Sequence, residues 1–226
     1  MHNVGGIILA AGGSTRFGQP KQLVEFEGET LVHAAVRAAQ AGGCDRVCVV
    51  TGRAREDVEA AVADLRPIFV HNESWARGMG SSVRLGGLAL QDASACVLLA
   101  CDQPAVDAKV VRSLIELHDR TGCAIAASHY SETLGIPALF HASLFCELQN
   151  LPDARGAKAL IEINLARVMQ LEFPLGALDI DSQDDLRAWV AFKKQMPRGV
   201  DLAGSRQDLI GGRSLPAERK RPRQSE

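Results

Sequence analysis

GGIILAAGGSTRFGQPKQL, residues 5–23, is a short apolar run that empties into a loop carrying Gly12, Gly13 and Gly18 together with Ser14, Arg16 and Lys21. A run that is apolar at consecutive rather than alternate positions predicts a strand buried on both faces, the habit of parallel sheets. Similar runs recur at Val4–Ala11, Val47–Thr51, Pro67–Val70, Ala95–Ala100 and Cys123–Ala127. Between them, helical spacing covers Leu31–Ala41, Arg55–Leu65, Ser82–Leu90 and Ala108–Arg120, the last opened by Asp107 as a capping residue. Strand and helix therefore alternate. This predicts right-handed crossovers and an α/β, mainly parallel, twisted sheet covered by helices, with ligands at the carboxyl ends of the strands.

After Ser128 the rhythm changes. An extended piece at Ile136–Phe140 is followed by helical stretches near Ser143–Gln149 and Gly156–Leu165, a strand at Val168–Phe173 and a last helix at Gln183–Gln195. From Pro197 the apolar periodicity fades into the charged PAERKRPRQSE, so a single domain over residues 1–196 and a disordered tail over 197–226 are expected. The basic cluster Arg219–Arg223 reads as a solvated terminus or a weak anion-binding tail.

Composition narrows the function classes. With 25 Lys+Arg against 27 Asp+Glu in 226 residues, the chain lacks the basic excess of a general nucleic-acid binder. Its longest apolar run, Ala95–Cys101, is far short of the roughly 20 residues of a membrane helix. The N-terminus lacks a basic region ahead of its apolar stretch, so a cytoplasmic protein is expected, without membrane or nucleic-acid partners. Six cysteines sit mostly within apolar stretches, without a CxxC pair, and read as buried reduced thiols. Aromatics make up only 4% of the chain, so Ala, Val, Leu and Ile must fill the core.

The Gly12–Lys21 loop suits phosphates: glycines let backbone N–H groups approach an anion, Arg16 and Lys21 bring positive charge, and Ser14 a hydroxyl. It is not a Walker A loop, because Gly18 is followed by Gln19 and Pro20 before Lys21. Neither is it a dinucleotide fingerprint, since GxGxxG is absent and the second strand ends in Thr51 and Gly52 rather than an acid. Asp102 follows the apolar strand ACVLLAC, so its carboxylate is expected at the carboxyl end of the sheet beside this loop. Such an acid can take magnesium, which uses one or two carboxylates plus substrate phosphates, or can cap the turn before Pro104.

LAAGGSTRFGQPKQL resembles the LAAGxSxRMGxxKxL signature of the nucleotidyltransferases related to molybdenum cofactor guanylyl- and cytidylyltransferases. The likeness continues through HNESWARGMGSSVRLG at His71–Gly86, CDQP at Cys101–Pro104, GIPALF at Gly135–Phe140 and DIDSQDDL at Asp179–Leu186, covering about residues 4–195. LAAG, with a GMGSS segment before DQP, is closer to the cytidylyltransferase branch than the LAGG usual in the guanylyltransferases.

The resemblance implies a Rossmann-like fold of the nucleotide-diphospho-sugar-transferase-like kind and a reaction in which CMP passes from CTP (or GMP from GTP) to a molybdopterin-type cofactor, releasing pyrophosphate. The product would serve a molybdenum hydroxylase client. Lys21, Arg16 and Asp102 are implied as catalytic, and Asp102 with Asp181 as Mg2+ ligands, Asp179 being the reserve and an N-cap the local alternative for Asp181. The nucleotide would meet Leu9, Ala10, Ala11, Gly12, Gly13, Ser14, Lys21, Thr51, Gly52, Gly80, Ser81 and Ser82. Gly78, Gly80, Gly86 and Gly87 could equally permit close packing, while Asn72 and Trp75 either wall an acceptor pocket or serve as a cap and a packed indole.

Three departures stand out. Phe17 replaces Met after the loop arginine, and Ser182 and Gln183 replace Thr and Pro of the closing motif. DARGAK at Asp153–Lys158 puts Asp153 at the Gly position and Ala154 at the Asp position of a GDxGAR/K motif, which bears on the acceptor. Transfer to a sugar phosphate or another phosphorylated alcohol, and a non-catalytic nucleotide- or cofactor-delivery protein, are the competing readings.

Overall fold

The computed structural model describes residues 3–14 and 17–195. In chain order these form β1 (Val4–Ala10), β2 (Glu25–Phe26), β3 (Glu29–Thr30), α1 (Leu31–Gly42), β4 (Arg46–Thr51), α2 (Arg55–Ala60), β5 (Ile68–His71), α3 (Met79–Ala89) and β6 (Ala95–Ala100). The second half adds α4 (Ala108–Thr121), β7 (Ile125–Tyr130), β8 (Thr133–His141), α5 (Phe145–Gln149), α6 (Ala157–Ile163), β9 (Val168–Glu172) and α7 (Gln183–Gln195). The expected tail, 197–226, lies outside the described residues, as does Arg16.

One seven-stranded sheet runs β5-β4-β1-β6-β8-β7-β9, and only β8 opposes the other strands. Continuous apolar runs are explained by burial on both faces. Ile8, Val49, Val97 and Leu99 enter the core under α1, α4 and α7, whereas their neighbours Ile7, Val50, Cys96 and Leu98 enter the one under α3, α5 and α6. The mainly parallel, helix-covered α/β fold expected from the sequence is therefore present.

Caps set the helix limits. Thr30 Oγ1 accepts from the His33 N–H to start α1, and Asp107 accepts from the N–H groups of Lys109 and Val110 to start α4. At the far end of α4, Gly122 takes the left-handed conformation that stops a helix, at φ 65°. The helix expected over Arg55–Leu65 is shorter: α2 ends at Ala60 and a separate 3-10 turn covers Ala63–Leu65.

Two strands of the second half differ from expectation. β7 runs on to Tyr130 and pairs with β8 from Thr133, closing a hairpin through Ser131 and Glu132 at φ 47° and 56°. Both central residues take the positive φ of a tight hairpin turn without being glycine, so the sequence carries no turn signal there. The two-residue strands β2 and β3 were also not expected. They follow the Lys21 loop and pack Phe26 against the buried Trp189 of α7, with ring centroids 6.1 Å apart.

β1 lies between β4 and β6, so the chain leaves it in both directions and a crevice opens at its carboxyl end. In open α/β sheets that crevice is where ligands bind. The loop after β1, Thr51 at the end of β4 with Gly52 beyond it, and Asp102 after β6 all converge there.

Candidate active site

The loop after β1 is held by a buried carboxamide. Gln22 is 1% exposed, and its Nε2 donates to the carbonyls of Ala10 (3.0 Å) and Gly12 (2.7 Å), folding the loop back over the strand end. Ser14, at φ 50°, accepts from the Lys21 N–H at 2.9 Å and donates to Gln22 Oε1 at 3.2 Å. The hydroxyl expected to face phosphate thus also ties the loop internally. Lys21 consequently has a fixed backbone, and only its four-carbon arm is free to move.

That arm ends between two carboxylates. Lys21 Nζ lies 2.5 Å from Asp102 Oδ2 and 2.9 Å from Asp181 Oδ1, with Lys21 and Asp102 side chains only 17% and 19% exposed. Burial pulls the ammonium pKa down, but Asp102 and Asp181 outweigh it and leave the group well above the ordinary lysine value. Lys21 is therefore cationic throughout the physiological range.

Distant segments meet through backbone and side-chain bonds. The Ile180 N–H donates to the Asp102 carbonyl at 2.8 Å, which brings the closing motif to the strand end. Ser182 Oγ accepts from the Asp185 N–H and donates to Asp185 Oδ2, so Ser182 caps α7 and the Asp181 carboxylate is turned to Lys21. The Ser182 departure from the motif thus supplies the cap. Gln103, whose fixing role the sequence did not signal, donates from Nε2 to the carbonyls of Ile136 (3.1 Å) and Gly176 (2.8 Å) and so anchors the residue after Asp102.

The loops of β1 and β4 touch so closely that a Cβ on Gly52 would lie 2.4 Å from the Ala11 carbonyl oxygen. Thr51 is fully buried beside it. Gly13 faces Trp75, whose ring would be 2.7 Å from a Cβ there, so the indole walls the glycine loop. Leu9, Ala10, Ala11, Gly12, Gly13, Ser14, Lys21, Thr51, Gly52, Asp102 and Asp181 are thus gathered at one end of the sheet.

Gly80, Ser81 and Ser82 stand at the start of α3, and here the expected ligand groups have internal partners. Asn72, 1% exposed, donates from Nδ2 to Ser81 Oγ (2.8 Å) and Ser82 Oγ (2.9 Å), while the Gly80 N–H donates to the Asp153 carbonyl at 3.0 Å. A Cβ on Gly80 would fall 2.0 Å from the Pro152 carbonyl oxygen. The packing alternative for Gly80 therefore has a physical basis. Asp153, the departure in DARGAK, pairs with Arg77 at 2.6 Å and with Arg84, which hold its carboxyl below the usual range. No pattern in the sequence announced these partners, because they lie about seventy residues away.

The donor set at Lys21 suits a hard divalent cation, since Asp102 and Asp181 are carboxylates whose oxygens already surround one cationic atom. Among the described residues no group of three or more His, Cys, Asp or Glu side chains forms a complete protein cage.

Residues 6–170 match the family described as the MobA-like NTP transferase domain. The chain belongs to this family. It is 36% identical over 130 residues to nicotine blue oxidoreductase of Paenarthrobacter nicotinovorans, covering 57% of this chain and 63% of that protein. It is 27% identical over 180 residues to the molybdenum cofactor cytidylyltransferase of Escherichia coli K12, covering 79% and 91%. The crystal structure of Rv0371c from Mycobacterium tuberculosis H37Rv superposes with a TM-score of 0.73 at 31% identity, covering 84% of this chain and 98% of that one. Rv0371c has also been solved in complex with manganese. The chain spans less than two thirds of the oxidoreductase and under a third of the bifunctional GlmU protein of Methylibium petroleiphilum that it also matches. Among its described residues no helix is long and apolar enough to cross a membrane.

Proposed function

We propose that this protein transfers CMP from CTP to a molybdopterin-type cofactor in a magnesium-dependent reaction, giving a dinucleotide cofactor for a molybdenum hydroxylase client. The observation that carries the reading is the Lys21 ammonium set between Asp102 and Asp181 beside the glycine loop. The LAAG loop and the likeness to the E. coli cytidylyltransferase support the base and the acceptor.

In the reaction a phosphate oxygen of the acceptor attacks the α-phosphorus of CTP, a new P–O bond forms, and the α–β P–O bond breaks to release pyrophosphate. The attacking phosphate is anionic at neutral pH, so no protein nucleophile is needed. Catalysis then rests on in-line positioning and on neutralising charge. The backbone of Gly12 and Gly13, with Ser14, cradles the phosphates, Thr51 and Gly52 border the base, and Lys21 with Arg16 meets the charge developing on the α- and β-phosphates. Asp102 and Asp181 would hold a magnesium ion, which when bound would supply further neutralisation of phosphate charge. Gly80, Ser81 and Ser82 serve the nucleotide by holding the α3 start in place.

A second reading, transfer to a sugar phosphate or another phosphorylated alcohol, rests on the departure of Asp153–Lys158 from the acceptor motif, where Asp153 is instead paired with Arg84 and Arg77. The test is pyrophosphate release and product analysis with magnesium, molybdenum-loaded molybdopterin and CTP, GTP or ATP. Cofactor-dependent release with CTP, lost in Asp102→Asn while the circular dichroism spectrum is kept, is the expected result. Release only with a sugar phosphate would overturn the acceptor, and turnover unchanged in Asp102→Asn the metal assignment.

A further inference from the structure

Lys21 makes its contacts where the proposed chemistry needs something else. Its Nζ lies 2.5 Å and 2.9 Å from the carboxylates assigned to the metal, and its side chain is 17% exposed. A divalent cation needs the same lone pairs, and an ammonium group beside it would be repelled. The two cannot share Asp102 Oδ2 and Asp181 Oδ1 at full strength. We propose that Lys21 is the site's own counter-ion, which excludes free metal and yields the carboxylates only when a nucleoside triphosphate offers it phosphate oxygens instead. This rests on the nucleotidyl-transfer reading and adds an order of binding to it.

Charge and anchoring support the exchange. With two carboxylates and one ammonium the pocket carries a net charge of about one negative, balanced enough to hold Lys21 in place. A triphosphate brings several negative charges that attract the ammonium, so Lys21 can leave the carboxylates for phosphate oxygens without losing its counter-charge, and the freed carboxylates can then take a divalent cation. The backbone of Lys21 is fixed by the Ser14 hydroxyl and by the neighbouring buried Gln22. An exchange of partners therefore requires rotation of one flexible arm and no rearrangement of the loop. Metal entry is coupled to nucleotide by competition, with a single side chain as the gate.

The coupling is tested with manganese alone, in the absence of nucleotide, by titrating free Mn2+ with the full chain and reading the bound fraction from its electron paramagnetic resonance signal. Losing two charge-assisted bonds frees the carboxylates, so Lys21→Met and Lys21→Gln should each bind Mn2+ at least about tenfold more tightly than wild type. Lys21→Arg keeps the charge and should stay as weak as wild type. Adding Asp102→Asn to Lys21→Met should abolish the gain, which locates the ion. Circular dichroism establishes folding, and the Gln variant, which retains a hydrogen-bond donor, decides the matter should the Met variant not fold. Unchanged or weaker Mn2+ binding in a folded neutral variant overturns the counter-ion role. If wild type nonetheless releases pyrophosphate with magnesium and CTP, the transfer reading stands without it. Tighter Mn2+ binding in the variants, with no nucleotide turned over by wild type, would sustain the counter-ion role of Lys21 and reject the reaction.

Discussion

Gly80→Ala distinguishes a packing role from a ligand role at the start of α3. The added methyl would sit 2.0 Å from the Pro152 carbonyl oxygen and 2.6 Å from that of Arg155, and both obstacles are backbone, which has no rotamer by which to withdraw. Relief requires α3 and the 152–155 segment to part, which also breaks the 3.0 Å bond from the Gly80 N–H to the Asp153 carbonyl. Overpacking costs about 1–3 kcal/mol, and the lost bond about 1 kcal/mol. A gain of up to about 1 kcal/mol in helix propensity offsets part of this, leaving a net loss of roughly 1–3 kcal/mol. For a domain of this size that lowers the melting temperature by about 2–12 °C. Gly87, two turns further along the same helix, is the internal reference: a Cβ there meets Gln149 Cγ at 3.8 Å and Leu148 Cβ at 3.9 Å, both ordinary contacts. Gly87→Ala should stabilise by about 0.4–1 kcal/mol. Urea melts of the three proteins check the opposite signs, and CTP titrations of the same samples separate the roles. Gly80→Ala as stable as Gly87→Ala, with only its KM for CTP raised, would refute the packing argument and restore direct contact.

Three further outcomes are expected. Burial pushes the thiols of Cys44, Cys48 and Cys101 up to about 12 and that of Cys96 higher still, so in native protein at pH 8 a thiol-exchange reagent should label exposed Cys146 first and half-buried Cys123 second; labelling of a third thiol before unfolding would contradict the packing. At His33 burial lowers the pKa, but hydrogen bonds with Glu29 and Asp64 outweigh it and raise the pKa above 6.5. The stability it adds is present below pH 6.5 and lost as pH rises through the folded value, so urea melts should find His33→Gln weaker than wild type near pH 6 and closer to it near pH 8.5. In Asp153→Asn the link from Arg77 and Arg84 to the 152–155 segment weakens, and hydrogen exchange at the Gly80 amide should quicken while the β1 amides keep their protection; equal exchange at Gly80 in the two proteins would remove the latch.

The sheet was legible because its central strands are apolar on both faces, a pattern that Ile7 and Ile8 or Leu98 and Leu99 display without any knowledge of partners. The end of β6 likewise put Asp102 near the glycine loop. What could not be read were contacts that only the closed fold creates. Ser131 and Glu132 adopt positive φ with no Gly or Asn to mark the turn, so the apolar pattern predicts β8 only from Ile136. Ser81 and Ser82, read with the GMGSS segment, turned out to share the buried Asn72 carboxamide. Gln22, Asn72 and Gln103 follow one physical logic. Each lies just beyond the end of a strand or loop, is at most 4% exposed, and donates to segments that the apolar pattern leaves unfixed. A neutral carboxamide can do this where a charged group could not be buried so cheaply. The sequence marks Asn72 as a pocket wall or cap and gives Gln22 and Gln103 no role of their own, but together the three tie down the loops from which Lys21, Asp102 and the α3 start approach the crevice. The proposed chemistry therefore rests on charged groups whose likeness to a family is visible, and their geometry on uncharged ones whose partners only folding reveals.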